Sequence, residues 1–411
     1  MEIDSNRGEH AESNRFAMLS IICVCVVLLM STWFSTAAVV PQLRGEWQIS
    51  DSSSAWLAIA VQLGFVAGAL LIASTGLADL ISPRRLIASA AIGAATANIA
   101  LIWTSNVGSA IGFRLLTGVF MAGIYPPALK LVATWYLKGR GVALGAVIGA
   151  LTLGSAFPHL VNFSHGIPWR AVILTTSIAT FVGCLGVSLL VQSGPYPFPT
   201  TTFHVGDVLP ALLNSRFLLI TAGYLGHMWE LYAAWSWMLS LVRSRLIDAN
   251  AQLAAPITFL IIAAGAPACI GAGYLADKWG RIETAVWFMT LSGLSAAAIG
   301  VTFFAPFWVF LLVALIWGAT VVGDSAQFSA MVTETGERQL VGTALTVQLG
   351  LGFALTSVTI WLVPKFAIWV GWQWAFLCLV PGPAVGIVAM MILRREFDGV
   401  SKAHSPQCRS I

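Results

Sequence analysis

Charge is the scarcest property of this chain. Only 9% of its 411 residues are Asp, Glu, Lys or Arg, against 58% hydrophobic, and its mean hydropathy is +0.85. A soluble domain carries roughly a quarter charged residues, so lipid rather than water must solvate most of this surface. Cysteine is sparse as well, six in all. Cys23, Cys25, Cys184, Cys269 and Cys378 fall in apolar stretches, where they read as small packing residues rather than disulfides or metal ligands. The terminal Cys408-Arg-Ser-Ile411 lacks the aliphatic middle of a prenylation box. The chain has no Walker loop, no G-x-S-x-G and no His-x-x-x-His, so nucleotide-driven pumping and nucleophilic or zinc catalysis have no residues to run on. The expectation is a protein that is not an enzyme, with no cofactor, no metal and no nucleic-acid partner.

What is abundant is long apolar runs. A membrane span needs about 20 mostly apolar residues, and twelve such stretches are legible: 16–40, 53–75, 84–104, 107–131, 141–162, 169–192, 217–241, 254–274, 284–304, 306–331, 342–364 and 373–393. The predicted fold class is an all-α membrane protein with twelve transmembrane helices in two pseudo-symmetric six-helix bundles. Residues 1–15 form a polar tail, 16–191 the first bundle, 192–216 a linker holding Gly-Pro-Tyr-Pro-Phe-Pro, 217–393 the second bundle, and 394–411 a second tail. With the N-terminus in the cytoplasm, only Arg44, Arg170, Arg243, Arg245 and Lys365 of the 21 Lys and Arg fall outside, and Arg114 falls within a span. That bias places both termini in the cytoplasm of a multi-pass inner-membrane protein. The acidic start, with Glu2, Asp4, Glu9 and Glu12, is not a signal peptide.

The two halves repeat. Gly76-Leu-Ala-Asp79 follows span 2 and Gly273-Tyr-Leu-Ala-Asp277 follows span 8; Gly118 and Gly123 in span 4 match Gly318 and Gly323 in span 10. Both pairs sit about 200 residues apart, the mark of a duplicated six-helix unit whose substrate site lies between its halves. Gly273-Tyr-Leu-Ala-Asp-Lys-Trp-Gly-Arg281 resembles the loop signature of the major facilitator superfamily, G-x-L-A-D-[RK]-x-G-R. The first copy is degenerate but keeps Asp79 and the pair Arg84 and Arg85, and Arg114-x3-Gly118 is similar to the family's helix-4 motif. The resemblance implies alternating access, with Gly273, Asp277, Lys278, Gly280 and Arg281, and Asp79, Arg84 and Arg85, in a gate on the cytoplasmic side. On physical grounds Gly lets the chain turn, and Asp caps a helix N-terminus or pairs with Arg. The nitrate porters are similar around Gly123-Ile-Tyr-Pro-Pro127 but carry Arg in spans 2 and 8, where this chain has none. The drug-antiporter pattern is missing from span 5, and the sugar-porter P-E-S is missing after span 6.

Glu230 is the residue that most needs explaining, because a charged side chain at a span centre costs roughly 2.5–3.5 kcal/mol on insertion scales. His227 lies one turn earlier, and Gly223, His227, Glu230, Ala234 and Trp237 make one helical stripe, expected to line the central cavity, with Tyr224 at its flank. Arg114 has a similar depth by helical rise and either pairs with Glu230 or binds an anionic group on the solute. On span 10, Trp317, Asp324 and Gln327 share a stripe, but the repeat maps Tyr125 of span 4 onto Ser325, about 100° from Asp324. Asp324 therefore faces either the cavity or a neighbouring helix. Mid-span Gln62 and Gln348 offer hydrogen bonds, and Trp33, deep among the 17 Trp, offers a ring to stack on. These residues point to a monomeric secondary transporter in the bilayer. It is expected to take up, with protons, a polar aromatic or vitamin-like compound such as riboflavin, or an organic anion. Efflux of a small compound or drug is the alternative within transport, and a non-transporting membrane sensor is the alternative outside it.

Overall fold

The computed structural model describes residues 2–136, 139–163, 167–196, 205–246, 248–336 and 341–404. The 197–204 stretch of the expected linker, the end of the C-terminal tail and the side chain of Asp79 lie outside the described residues. Every regular element among the described residues is helical, and twelve passages follow one another. These are α1 (Glu2–Met30), α2 (Asp51–Ser74), α3 (Pro83–Ile99), α4 (Val107–Met121, then Tyr125–Ala133), α5 (Arg140–Val161) and α6 (Trp169–Leu190). The second six are α7 (Ser215–Arg245), α8 (Ala254–Ala263, then Gly265–Trp279), α9 (Arg281–Thr302), α10 (Phe307–Gly323, then Ser325–Thr335), α11 (Val341–Val370) and α12 (Pro381–His404).

Ten of the twelve are long and apolar enough to cross a membrane. The apolar part of α1, Asn14–Met30, is shorter. The other exception, α7, is long but rich in Tyr, Trp, His, Ser and Gly, and no residue from Glu230 to Leu239 is exposed. Lipid does not reach this stretch of the helix, so its sequence need not be lipid-like there.

Local chemistry sets the helix ends. Ser50, Asn106 and Asn214 accept from the backbone N–H groups of Ser53, Ser109 and Phe217 at 3.0–3.1 Å, the geometry of N-caps. Pro83 opens α3, and Pro126 and Pro127 restart α4. Gly280, at φ +106°, turns α8 into α9 through a backbone conformation that a side chain would strain.

The expected first span, 16–40, is broken: α1 stops at Met30, and Ser31–Thr36 form irregular turns before Ala37–Val39 and the helix Val40–Trp47. Within the break the Arg114 guanidinium donates to the carbonyls of Thr32 and Trp33, satisfying backbone that is no longer in a helical ladder. Beyond the break, Glu46 ties the Val40–Trp47 helix to α6. It accepts from Arg170 Nη2 at 2.8 Å and from Trp169 Nε1, and the Arg170 guanidinium lies 4.4 Å from the Trp169 ring.

Close helix pairs run through small residues, as membrane packing favours. A Cβ on Gly64 or Gly68 of α2 would collide with the Leu115 or Val119 carbonyl of α4, and one on Gly118 with the Val61 carbonyl. In the second half a Cβ on Gly318 of α10 would collide with the Ile261 carbonyl of α8. The two halves meet along α5–α8, where Gly145 and Gly149 press on the Cys269 and Ala266 carbonyls, and along α2–α11, where Phe65 and Phe353 lie 4.2 Å apart.

Two predictions follow from these contacts. Gly118→Ala and Gly318→Ala should each destabilise the purified protein by about 1–3 kcal/mol, whereas Gly112→Ala, which meets open space, should be neutral. Equal melting temperatures for all three would mean that the helix pairs do not depend on close approach. At the Glu46 latch, Arg170 and then Trp169 hold the carboxyl below the usual glutamate range. Its contribution is therefore present at neutral pH and fades only as pH falls through that lowered value. Both partners are more than 40% exposed, so Glu46→Gln should cost less than about 1 kcal/mol at pH 7. The variant should match the wild type in acid; a larger wild-type advantage at low pH would contradict the latch.

Candidate functional site

Arg114 is the centre of a polar knot in the first half. Its side chain is 1% exposed and spends its donors on the Leu57 carbonyl (3.2 Å), the Thr32 carbonyl (2.9 Å), Ser35 Oγ (3.2 Å), Asn98 Oδ1 (3.3 Å) and the Trp33 carbonyl. Asn98 in turn donates to Ser177 Oγ (2.9 Å) and Thr176 Oγ1 (3.3 Å), and Ser31 Oγ donates to the Thr176 carbonyl (2.9 Å). One guanidinium thereby joins α1, α2, α3, α4 and α6. The expected ion pair with Glu230 is not formed, because carbonyl dipoles satisfy the cation instead.

Glu230 belongs to a separate network in the second half. It accepts from Trp317 Nε1 at 2.6 Å on α10 and from Ser292 Oγ at 2.8 Å on α9. His227 does not pair with Glu230 either. Its Nδ1 lies 2.8 Å from Asp324 Oδ1, and its Nε2 2.8 Å from Ser325 Oγ, with the Asp324 side chain 2% exposed. The imidazole thus sits between a carboxylate beside Nδ1 and a serine hydroxyl at Nε2. The choice between Asp324 and Ser325 dissolves, because α10 breaks at Asp324 and both neighbours reach the same imidazole. The matching break in α4, at Ala122–Ile124, sits at the equivalent place in the repeat.

Except at Trp237, which also lines a small cavity with Thr36, Val40, Ser54 and Leu57 of the first half, the stripe Gly223, His227, Glu230, Ala234, Trp237 therefore does not front the boundary between halves. It packs within the second half: a Cβ on Gly223 would meet Met390 and Phe328, and Trp237 donates to the Ile360 carbonyl at 2.9 Å. The part of α7 about 120–180° around the helix from that stripe meets the first half. There Tyr232 and Trp235 join Trp33, Phe34, Phe65 and Phe353 in one aromatic box. Ring centroids are 5.7–5.9 Å apart for Phe34–Trp235, Phe34–Tyr232 and Trp33–Tyr232, and 5.2 Å for Trp33–Phe65 and Tyr232–Phe353. Of these six, only Trp33 had been expected in the site. The missed rings come from α2, α7, α11 and the turn after α1, and the available signal was the aromatic density of α7 rather than its polar residues.

The other expected residues fall in different places. Tyr224 packs against Phe328 (5.9 Å) and beside His227 (6.3 Å), inside the second half. Tyr125 is half-buried at the restart of α4 and is not one of the box rings. Trp317 is taken up by Glu230 and lies edge-on to Phe376. Gln62 and Gln348 are buried, and the Oε1 of Gln62 and both amide atoms of Gln348 have no hydrogen-bond partner. The indole nitrogens of Trp33 and Trp235 are also without partners, as are Ser155 and His159, which sequence reasoning did not single out. Among the described residues no cluster of three or more His, Cys, Asp or Glu could hold a metal ion.

At the end of the bundle that carries the motif loops, Arg281 meets Asp277 (3.5 Å), Glu334 (3.1 Å) and Gln327 Oε1 (3.1 Å), so Gln327 is part of this network rather than of a cavity. A Cβ on Gly141, in the first turn of α5, would sit 2.6 Å from Asp277 Oδ1 and 2.8 Å from the Gly273 carbonyl. The second-half motif thus closes against the first half at a helix N-terminus, where an anion is favoured. The first copy does something different: Arg84 donates to the Val191 carbonyl at 3.2 Å, within its own half, and Arg85 and Lys278 are exposed.

The Major Facilitator Superfamily model matches residues 22–355. Among curated proteins, the 4-hydroxybenzoate transporter PcaK of Pseudomonas putida is 22% identical over 81% of this chain and 82% of its own length. The niacin transporter NiaP of Acinetobacter baylyi is 21% identical over 64% and 67%. The puromycin resistance protein pur8 of Streptomyces alboniger is 26% identical over 46% of this chain, but this chain spans only 38% of that protein. Among solved structures, the xylose transporter XylE from E. coli, partially occluded and inward open, superposes with a TM-score of 0.71 at 13% identity, covering 97% of this chain and 99% of that one.

Because Arg114 and Glu230 share no partner, their losses should add. Arg114→Ala and Glu230→Gln should each lower the melting temperature, and the double variant should equal the sum within about 0.5 kcal/mol. Recovery of stability in the double variant would restore the direct pair that the geometry excludes.

Proposed function

The chain belongs to the major facilitator superfamily, and on that premise we propose that it takes up a small, planar, polar aromatic solute together with protons. It works by alternating access between its two six-helix halves, in the cytoplasmic membrane with both termini inside. The aromatic box carries this reading: Trp33, Phe34 and Phe65 from the first half close on Tyr232, Trp235 and Phe353 from the second. These rings touch one another across the boundary, so they would part as the halves move and offer their faces to a flat solute. The unpartnered indole N–H groups of Trp33 and Trp235 and the amides of Gln62 and Gln348 are polar groups of the kind that fix a ligand's orientation in an apolar site. Two relatives aligned over most of their length are named for aromatic-ring acids, 4-hydroxybenzoate and niacin, which supports the same solute class. Buried Glu230 and the His227–Asp324 pair supply proton-accepting groups inside the half that must move. Export is the second reading, favoured by the puromycin-resistance relative, and it differs in direction rather than in site.

Proteoliposomes with an acid exterior test this directly. Benzoate, 4-hydroxybenzoate, nicotinate and riboflavin should be compared with xylose, and at least one aromatic compound should accumulate while xylose does not. Trp33→Phe, which keeps the ring but removes the N–H, should raise KM by about 2–10-fold. Glu230→Gln should retain solute exchange and lose accumulation. Normal accumulation by Glu230→Gln would make Glu230 structural, and no aromatic uptake in either direction would overturn the solute class.

A further inference from the structure

We propose that Ser155 and His159 of α5 form the polar end of the solute site and receive a carboxylate. This assignment rests on the aromatic-solute reading above. Ser155 is 1% exposed and His159 0%, and Ser155 Oγ and both ring nitrogens of His159 have no hydrogen-bond partner. Buried polar groups are normally satisfied, and Arg114, Asn98, Ser31, Ser35, Thr176, Ser177 and Thr180 of the first half all have partners. The open groups of the first half instead include Trp33 and Gln62, already placed at the solute site, and Ser155 with His159, two open side chains one turn apart on a single helix.

Their direction follows from the rest of α5. From Gly145 to Leu160, the partly or fully exposed positions are Ala146, Leu153, Phe157 and Leu160, Gly154 presses on Val27 and Met30 of α1, and Gly145 and Gly149 press on α8. At about 100° per residue, Ser155 and His159 fall on the remaining face, turned away from the exposed side and between the α1 and α8 contacts. Their height follows as well. Gly154 is level with Met30, so His159 is one turn further along, at the level of Trp33 and Phe34, where the aromatic box closes.

The chemistry selects the ligand group. A neutral imidazole and a hydroxyl each donate one hydrogen bond, and side chains one turn apart stand about 5–6 Å from each other, a spacing that suits the two oxygens of a carboxylate. The obvious competitor, Arg114, is consumed by the Leu57, Thr32 and Trp33 carbonyls and is not free to meet an anion. A flat acid would lie with its ring among the box aromatics and its carboxylate against α5, bridging both halves of the protein.

The test measures ligand-induced thermal stabilisation of the purified, full-length protein, using 4-hydroxybenzoate and nicotinate against their methyl esters, which keep the ring and lose the carboxylate. His159→Leu replaces an unpartnered polar group by an apolar one, so without ligand it should melt at or above the wild-type temperature. Its affinity for the acids should fall by about ten- to a hundred-fold, while the esters bind as to wild type. Ser155→Ala, the smaller change, should weaken the acids by about 2–10-fold and serves if His159→Leu does not fold. Acids that bind both variants as tightly as wild type would overturn the assignment alone. Failure of every aromatic probe to stabilise the wild type would sink the aromatic-solute reading and this assignment with it.

Discussion

A cation buried in a membrane protein must be met by something, and in this chain Arg114 is met by backbone. Its guanidinium draws on the carbonyls of Leu57, Thr32 and Trp33 and on the side chains of Ser35 and Asn98. α1 ends at Met30, and the segment beyond it, held by these bonds, presents Trp33 and Phe34 to the other half of the molecule. Lipid offers no hydrogen bonds to an irregular backbone, and here Arg114 satisfies the Thr32 and Trp33 carbonyls from inside. The same knot that holds five helices together thus sets the first-half wall of the aromatic box.

The second half solves the same problem with a carboxylate. Glu230 is held by Trp317 and Ser292, and His227 by Asp324 and Ser325. Both lie on the side of α7 away from Tyr232, so one helix carries aromatic rings toward the first half and titratable groups toward its own bundle. Under the proposed function, a proton taken up on one side would change hydrogen bonds to α9 and α10, and a solute bound on the other would pull on the first half. Such a helix is a physical means of linking the two events, because both act on the same rigid rod. At the motif end, Asp277 closes on α5, while Arg281 joins Asp277, Glu334 and Gln327, placing the end of α10 in the same gate.

Much of this was legible in the residues. Low charge and long apolar runs are dictated by lipid as solvent, so the spans, the duplicated unit and the family resemblance could be read directly, down to Gly118 and Gly318 as equivalent packing positions. Reading failed at α7, whose polar stripe was expected to face the cavity. Periodicity separates a buried face from a lipid-facing one, and α7 has no lipid-facing side over its buried stretch, so the pattern held no information about which buried face met which neighbour. The Arg114–Glu230 pair failed for a related reason: similar depth along two helices says nothing about rotation around them.

Composition and spacing alone determined that this is a multi-pass helical protein built from two related halves, that Arg114, Glu230, His227 and Asp324 are buried charges demanding partners, and that Gly273–Arg281 forms a loop signature. Those conclusions rest on terms local to one helix or one turn, chiefly the free energy of placing each side chain in hydrocarbon. Only the tertiary structure decided which partner each charge took, where α1 broke, that six rings from both halves converge, and that Ser155 and His159 are left open. Those outcomes depend on how helices far apart in the chain rotate and dock, and that is set by packing of small residues and competition for hydrogen bonds among all of them at once.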